Sequence, residues 1–251
     1  MTEKSLTEEY IKELSGRFES VRRNIENASG GRAVTLLAAT KTVPADVINY
    51  AINNLGLTYV GENRVQELLA KYDALRKDGL HIHFIGRLQK NKVKYIVDKV
   101  ELIESLDSMA LAETIDRCSA KINKVTDVLV EINIGGEESK GGIPKQSAKE
   151  FINSLKTLSH IRVRGIMVIP PISDPEGYKA YFNEAHCLFT DIFGDPSASV
   201  SDPAILSMGM SDSYIEAIGC GSTMVRIGSA LFGKREYPEP SPEAPDEKET
   251  N

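Results

Sequence analysis

The sequence contains no tryptophan and only three cysteines, Cys118, Cys187 and Cys220, in 251 residues. The cysteines are scattered and lack CxxC spacing, so neither a zinc cluster nor a disulfide framework is predicted, and we expect buried, inert thiols. No apolar run approaches the length that crosses a bilayer, and the charged N-terminus lacks the apolar core of a signal peptide. These absences favour a cytoplasmic protein with no membrane partner.

The net charge is also small outside the last segment of the chain. The formal net charge is −6, and six acidic residues with one lysine in residues 236–251 account for −5 of it. Residues 1–235 are therefore almost neutral, and no basic field that would attract nucleic acid is predicted. The tail is rich in Pro and Glu and lacks apolar residues, so we expect one folded domain, 1–235, followed by a disordered acidic tail, 236–251.

What the sequence does contain is a regular alternation of short apolar segments and amphipathic helical patterns. Eight segments are predicted strands: Thr35–Thr40, Thr58–Gly61, Ile82–Gly86, Leu102–Ser105, Val128–Ile134, Gly165–Ile169, Ala204–Met208 and Met224–Gly228. Predicted helices separate them: Ala45–Asn54, Val65–Leu75, Lys92–Asp98, Met109–Ile122, Lys145–Leu158, Glu176–Ile192 and Ser213–Ile218. An additional amphipathic helix precedes the first strand, with capping-box spacing at Ser5–Glu8 and an end at Gly30.

This pattern predicts an α/β fold. Continuous apolar runs are typical of parallel strands that are covered on both faces, and about 250 residues is the usual length of a one-domain barrel. No GxGxxG motif follows the first strand, which disfavours a dinucleotide-binding sheet. We therefore predict a single (β/α)₈ TIM barrel with an extra N-terminal helix.

Lys41 ends the first predicted strand, and active groups of such barrels lie at the carboxyl ends of their strands. Apolar neighbours would desolvate the amine, lower its pKa and make it a better nucleophile toward carbonyl groups. A solvated lysine at a strand end is the competing interpretation, so Lys41 needs support from other residues.

That support lies near the C-terminus. Barrels often bind phosphate between the loops after strands seven and eight. Here Ser207-Met208-Gly209-Met210-Ser211 leads into one helix, and Arg226 is followed by Gly228-Ser229. Small residues and hydroxyls there can approach and bind an anion, although ordinary helix capping would use the same residue types.

A nucleophilic lysine with a phosphate site leaves two chemistries, a phosphosugar aldolase and a pyridoxal 5'-phosphate (PLP) protein. Arg226 lies in an apolar run and is expected to face the barrel interior. An arginine opposite a pyridine nitrogen can only donate, which keeps the ring unprotonated and weakens it as an electron sink. The structural alternative is pairing of Arg226 with a carboxylate such as Glu62 or Glu131.

Five segments, in order, resemble the pyridoxal phosphate homeostasis proteins: Leu37–Pro44 (LAATKTVP), Gly61–Glu67 (GENRVQE), His83–Lys92 (HFIGRLQKNK), Ser207–Ser211 (SMGMS) and Gly221–Gly228 (GSTMVRIG). The resemblance covers roughly residues 6–235. It implies a PLP fold type III barrel like the N-terminal domain of alanine racemase.

The same resemblance implies roles for individual residues. Lys41 would carry PLP as an internal aldimine, Asn63 would lie beside the ring, and Arg226 would face the pyridine nitrogen. Ser211, Gly228 and Ser229 would hold the phosphate; the family usually has Thr at the position of Ser229, and serine keeps the hydroxyl. Met167, Ser207 and Met208 would line the pocket.

The resemblance also bears on catalysis. Ile169 occupies the place of the ring-stacking histidine of alanine racemase, and the chain has no second domain to supply a tyrosine base. The acid–base pair that α-proton transfer requires is therefore not evident. The favoured function is a PLP carrier or regulator in vitamin B6 and amino-acid homeostasis, with PLP-dependent apoenzymes as recipients and a monomeric state. A racemase-like PLP enzyme and a phosphosugar lyase are the alternatives.

Two other features are interpreted as structural. His81 and His83 share one strand face but lie at the strand's start, so no metal site is predicted. Lys140, in a Gly-rich loop near the barrel mouth, is expected to be exposed rather than to take part in cofactor entry or release.

Overall fold

A computed structural model describes residues 6–137, 141–194 and 203–233. Within them the strands are β1 (Thr35–Ala39), β2 (Tyr59–Glu62), β3 (His81–Phe84), β4 (Leu102–Leu106), β5 (Thr126–Asn133), β6 (Ile143–Pro144), β7 (Ile161–Val168), β8 (Ile205–Ser207) and β9 (Met224–Ile227). The helices are α1 (Glu8–Ser29), α2 (Ala45–Leu55), α3 (Val65–Tyr72), α4 (Met109–Ala120), α5 (Ala148–Leu155), α6 (Pro175–Phe193), α7 (Tyr214–Gly219) and α8 (Ser229–Phe232). The predicted tail, 236–251, and Lys140 lie outside the described residues.

The sheet closes on itself as a parallel barrel. Its strands run in the order β4-β3-β2-β1-β9-β8-β7-β5, and β4 pairs with β5 to complete the ring. The two-residue β6 adds to β5 outside this ring. The eight strands predicted from the sequence all occur, and the TIM-barrel prediction is confirmed.

Alternate strand residues face opposite sides of the barrel wall. Leu37, Ala39, Ile85 and Met224 form a small cluster inside the barrel. Their neighbour Ala38 belongs instead to the large core between the strands and the helices. The interior is filled by side chains, so ligand chemistry is confined to the two ends of the barrel.

Helix α1 packs on the helices that follow the last two barrel strands. The Phe18 ring meets Phe232 of α8 edge to face at 5.9 Å. Asn24 Nδ2 donates to Tyr214 Oη of α7 at 2.8 Å, and Arg17 Nε donates to the Leu231 carbonyl at 3.0 Å. The extra N-terminal helix therefore braces α7 and α8, whose preceding loops carry the predicted phosphate residues.

Several predicted helix boundaries were wrong. Thr7 caps α1, because its hydroxyl accepts from the Tyr10 N–H at 3.2 Å, and Ser5 of the predicted capping box lies outside the described residues. The predicted helix Lys92–Asp98 is a 3₁₀ segment, Lys90–Tyr95. Only Val93 of this segment is buried, so it lacks the apolar face that would favour a longer α-helix.

The other boundary errors are at helix ends. The predicted helix Lys145–Leu158 begins as a 3₁₀ turn, Lys145–Ser147, before α5, and it ends at Leu155. Helix α3 ends at Tyr72 rather than Leu75. Helix ends fray into tighter turns that an apolar pattern does not distinguish from the helix itself.

The expectation that the thiols are buried was also wrong. Cys187 is exposed, and Cys118 and Cys220 are half-buried. Helix α6 turns Cys187 away from its buried residues Ala185 and Phe189. Partial burial still raises the pKa of the Cys220 thiol, which keeps it less reactive.

Among the described residues, no helix combines the length and apolar character that a membrane span requires.

Gly165 tests how tightly β7 and β8 approach. A Cβ at this position, where φ is +151°, would lie 1.9 Å from the carbonyl oxygen of Ile205. We expect Gly165→Ala to lower the free energy of unfolding in urea by about 3 kcal/mol or more, because the strand backbones must separate. Gly16→Ala is the matched control: its Cβ meets nothing within 4 Å in α1, and it should stabilise by about 0.5–1 kcal/mol. Equal stability of the two variants would contradict this account.

Candidate functional site

The residues predicted to bind the cofactor gather at one end of the barrel. Lys41 and Asn63 follow the carboxyl ends of β1 and β2, and Met167 is the next-to-last residue of β7. Ser207 ends β8, and Met208 and Ser211 follow it in the loop before α7. Arg226 in β9 is followed in the chain by Gly228 and Ser229. These five strands are neighbours in the barrel, in the order β2-β1-β9-β8-β7.

A fixed turn carries Lys41. Thr42 has a positive φ of 64°, uncommon for a residue with a β-branched side chain. The Val43 N–H donates to the Thr40 carbonyl at 3.0 Å and closes the turn. Lys71 Nζ donates to the carbonyls of both Thr40 (2.9 Å) and Val43 (3.2 Å). The lysine of α3 thus clamps the backbone on both sides of half-buried Lys41.

Two carboxylates complete this clamp. Glu62 Oε1 accepts from Lys71 Nζ at 2.8 Å and from Thr40 Oγ1 at 2.6 Å. Glu67 accepts from Lys71 at 3.3 Å and from the N–H of Thr42. Burial raises the pKa of Glu62, and Lys71 opposes that rise through its charge and hydrogen bond. The strained turn is therefore maintained by a buried ion pair beneath it.

Arg226 is held on the inside of the barrel wall, as predicted from its apolar surroundings. It is only 4% exposed. Its Nη1 donates to Ser207 Oγ at 2.7 Å, and its Nη2 donates to the Val168 carbonyl at 2.9 Å. The alternative of pairing with Glu62 was wrong, because Glu62 lies on the other face of the wall with Lys71.

The carboxylate nearest to Arg226 is Glu104, in β4. Its Oε2 lies 4.0 Å from Arg226 Nη1 and accepts from Ser207 Oγ at 2.7 Å. Its Oε1 is bonded to His83 Nδ1 at 2.8 Å. Burial alone would raise the pKa of Glu104, but the hydrogen bonds and charges of His83, Arg226 and Ser207 outweigh it and lower the pKa. Glu104 is thus a fully buried carboxylate in the middle of the barrel.

A second carboxylate influences Arg226 through its charge. Burial lowers the pKa of Arg226, and Glu104 and Glu131 oppose that fall. Guanidinium nevertheless stays protonated in proteins. Burial and the charge of Asp107 raise the pKa of Glu131, while Arg226 and Arg87 lower it. The positive charge of Arg226 is therefore balanced by two carboxylates, Glu104 and Glu131.

The loops after β8 and β9 meet at Ser211. Its Oγ accepts from the backbone N–H groups of Gly228 (3.3 Å) and Ala230 (3.2 Å). Ser229 is the first residue of α8, so its N–H has no acceptor within the helix. Gly209 has a φ of +95°, and a Cβ there would lie 2.6 Å from Ala217 Cβ. Close packing thus brings hydroxyl and amide donors of both loops together.

The remaining predicted residues differ in position. Asn63 Oδ1 is buried and makes no hydrogen bond within the described part of the chain. Met167 packs inside the barrel with Leu102 and Leu129. Met208 belongs to the large core that faces the helices. Ile169, at the place of the racemase histidine, is 36% exposed.

The histidine pair of β3 is engaged with carboxylates. His81 Nδ1 pairs with Glu101, and His83 Nδ1 with Glu104. The residues that the structure describes contain no group of three or more His, Cys, Asp or Glu side chains arranged to hold a metal ion.

Comparison with known proteins identifies the family to which this barrel belongs. Residues 17–236 match the family model of the alanine racemase N-terminal domain, which sets the class of the barrel. The pyridoxal phosphate homeostasis protein of Aquifex aeolicus is 45% identical over 226 residues, covering 89% of this chain and 97% of that protein. The Pasteurella multocida protein of the same name is 39% identical over 233 residues, covering 89% and 98%. The chain belongs to the pyridoxal phosphate homeostasis protein family.

A solved relative gives the same result. PipY of Synechococcus elongatus PCC7942 is 30% identical, and the match covers 88% of this chain and 100% of PipY. The TM-score is 0.77 for PipY without PLP and 0.74 for PipY with PLP bound.

Sequence reasoning missed two residues on which the site depends. Glu104 was detectable, since it is the only charge in the buried strand Leu102–Leu106, the same signal that drew attention to Arg226. Lys71 was not, because a lysine in an amphipathic helix is normally solvated.

The clamp beneath Lys41 makes a prediction that depends on pH. Lys71→Met leaves buried Glu62 without its cation, which should cost about 3–5 kcal/mol of unfolding free energy at pH 8. The folded-state pKa of Glu62 is raised, so the folded variant takes up a proton more readily than the unfolded chain. The deficit should therefore shrink as the pH falls through that raised pKa toward the ordinary value of 4.5.

Urea unfolding at several pH values measures this effect, with the double variant Glu62→Gln, Lys71→Met as the matched control. The double variant has no uncompensated carboxylate and should be more stable at pH 8 than Lys71→Met alone. A deficit that is independent of pH, or a double variant as unstable as the single one, would refute the assignment.

Proposed function

We propose that this chain binds PLP covalently, as a Schiff base on Lys41, at the carboxyl end of its barrel. The observation that carries the proposal is that Lys41, in the clamped turn after β1, lies at the same end of the barrel as Arg226 of the adjacent strand β9 and the joined loops at Ser211. The PLP-bound PipY structure supports it, since that relative matches along its whole length.

The chemistry of the site fits this cofactor on observations independent of the relatives. The buried Oδ1 of Asn63 makes no hydrogen bond within the described residues and can accept one from a ligand. Ser211 and Ser229 offer hydroxyl donors for a phosphate, Ser229 also offers its N–H at the start of α8, and Gly228, whose own N–H donates to Ser211 Oγ, leaves room for the phosphate to approach the backbone. Arg226 offers a donor to a ring nitrogen, an acceptor that a phosphosugar lacks. That difference favours PLP over the phosphosugar-lyase alternative.

Bound PLP supplies an electron-withdrawing ring that stabilises negative charge on an attached amino acid. The residues of this chain moderate that chemistry. Arg226 would donate a hydrogen bond to the ring nitrogen, and because a guanidinium does not lose its proton, the ring nitrogen would stay unprotonated. Lys41 would hold the cofactor covalently, and Ile169 has no group that exchanges protons. The site is suited to holding PLP more than to turning over an amino acid.

We infer from this that the protein acts as a carrier or regulator of PLP in the cytoplasm, as a monomer, and delivers PLP to apoenzymes that depend on it. The names of its relatives support a role in PLP homeostasis. A racemase-like enzyme is the second candidate, because burial raises the pKa of Glu131 and so gives this end of the barrel one carboxyl group that holds its proton more readily than an exposed one.

The absorbance spectrum of the purified protein tests PLP binding. We expect a band near ~420 nm that borohydride reduction abolishes while fixing the cofactor to the protein. Lys41→Ala should lack the band, and Lys71→Arg, which keeps the positive charge beneath the turn, should retain it. A protein that stays colourless with added PLP would refute the proposal and leave the phosphosugar alternative.

Transfer of the cofactor separates a carrier from an enzyme. Mixed with excess PLP-free enzyme, the loaded protein should lose its band while the recipient gains activity, and Lys41→Ala should restore none. Loaded protein alone should not racemise or decarboxylate amino acids above the rate of free PLP. Turnover at an enzymatic rate that Lys41→Ala abolishes would instead establish the racemase-like alternative.

A further inference from the structure

The direction in which Arg226 points is set by two acceptors. The guanidinium has five N–H donors, and single bonds to Ser207 Oγ and the Val168 carbonyl engage two of its nitrogens. The carbonyl belongs to the barrel backbone and is fixed. The Ser207 hydroxyl can rotate, so something else must orient it.

Glu104 orients that hydroxyl. An ionised carboxylate only accepts hydrogen bonds and a guanidinium only donates them. The Ser207 proton must therefore point to Glu104 Oε2 (2.7 Å), and its lone pair to Arg226 Nη1 (2.7 Å). The polarity of the chain Arg226–Ser207–Glu104 is fixed by chemistry and not by a choice of hydrogen positions.

His83 holds the carboxylate from the other side. Because Glu104 Oε1 accepts, His83 Nδ1 carries the proton of their 2.8 Å bond. All four side chains are buried, at 0% exposure for Glu104 and Ser207, 3% for His83 and 4% for Arg226. Without water to substitute for a lost partner, each member fixes the next.

The positive charge of Arg226 also requires Glu104 as a partner. A buried guanidinium without a counter-charge is strongly unfavourable, and Glu104 lies 4.0 Å from Arg226 Nη1. Ser207 lies between the two groups, so they interact through its hydroxyl as well as through space. This arrangement keeps the remaining N–H donors of Arg226 available, whereas a bidentate carboxylate would occupy two of them.

We propose that Glu104 and Ser207 are positioning residues that hold Arg226 in the orientation in which it donates to the ring nitrogen of PLP, with His83 locking Glu104 in place. This inference rests on the proposed function. It gives Ser207 a role other than lining the pocket, and it assigns a role to Glu104 and His83.

The test compares PLP with its analogue in which carbon replaces the ring nitrogen, because only PLP can accept from Arg226. Calorimetric titration of the full-length, cofactor-free protein gives the ratio of the two dissociation constants. The wild type should prefer PLP by about tenfold, the value of one hydrogen bond to a charged donor. Ser207→Ala and Glu104→Gln should each bring this ratio close to one, the ratio expected for Arg226→Leu.

The matched control is Glu101→Gln, which removes a neighbouring carboxylate whose partner is His81. It should keep the wild-type ratio. The proposal is overturned if Ser207→Ala retains the wild-type ratio of dissociation constants. This includes the case in which the variant weakens the binding of both ligands by the same factor, as a merely structural role of Ser207 would. Ser207→Ala decides the matter if Glu104→Gln does not fold. Failure of the wild type to bind either ligand would instead refute the proposed function itself.

Discussion

Strand β1 pairs in parallel with β2 on one side and with β9 on the other, so that Leu37 lies opposite both Tyr59 and Arg226. This pairing joins the first barrel strand to the last. All carboxyl ends then meet at one end of the barrel, where Lys41 comes beside residues almost two hundred positions later in the chain. Without that closure, the clamp beneath Lys41 and the hydrogen-bonded chain Arg226–Ser207–Glu104 could not contribute to one site.

Closure also creates a difficulty, because both faces of the wall are buried and any charge there needs a counter-charge. The protein uses two separate solutions. Outside the wall, Lys71 and Glu62 neutralise each other and fix the Lys41 turn. Inside, Arg226 and Glu104 do so with Ser207 between them. Direct pairing fixes a backbone, whereas indirect pairing leaves donors free for a ligand, and each arrangement suits its place.

The alternation of apolar segments was sufficient to predict the eight strands and the closed barrel, because strand burial is a local property of the sequence. Lys41 and Arg226 were found because each is a lone charge in an apolar run. Lys71 was not predictable, since its burial depends on how α3 packs beneath the Lys41 turn. The predicted burial of the Cys187 thiol was wrong for the same reason, because packing decides which face of α6 meets the barrel.

The choice of arginine at position 226 has a consequence for function that the surrounding network reinforces. A carboxylate opposite a pyridine nitrogen would share a proton with it and strengthen the ring as an electron sink. This barrel does contain a buried carboxylate close by, but Glu104 is engaged by Ser207 and His83 and meets the site only through Arg226. In the proposed binding mode, a cation therefore faces the ring nitrogen at the position where an acid would promote catalysis. Firm binding with subdued reactivity is the property that the proposed role as a PLP carrier requires.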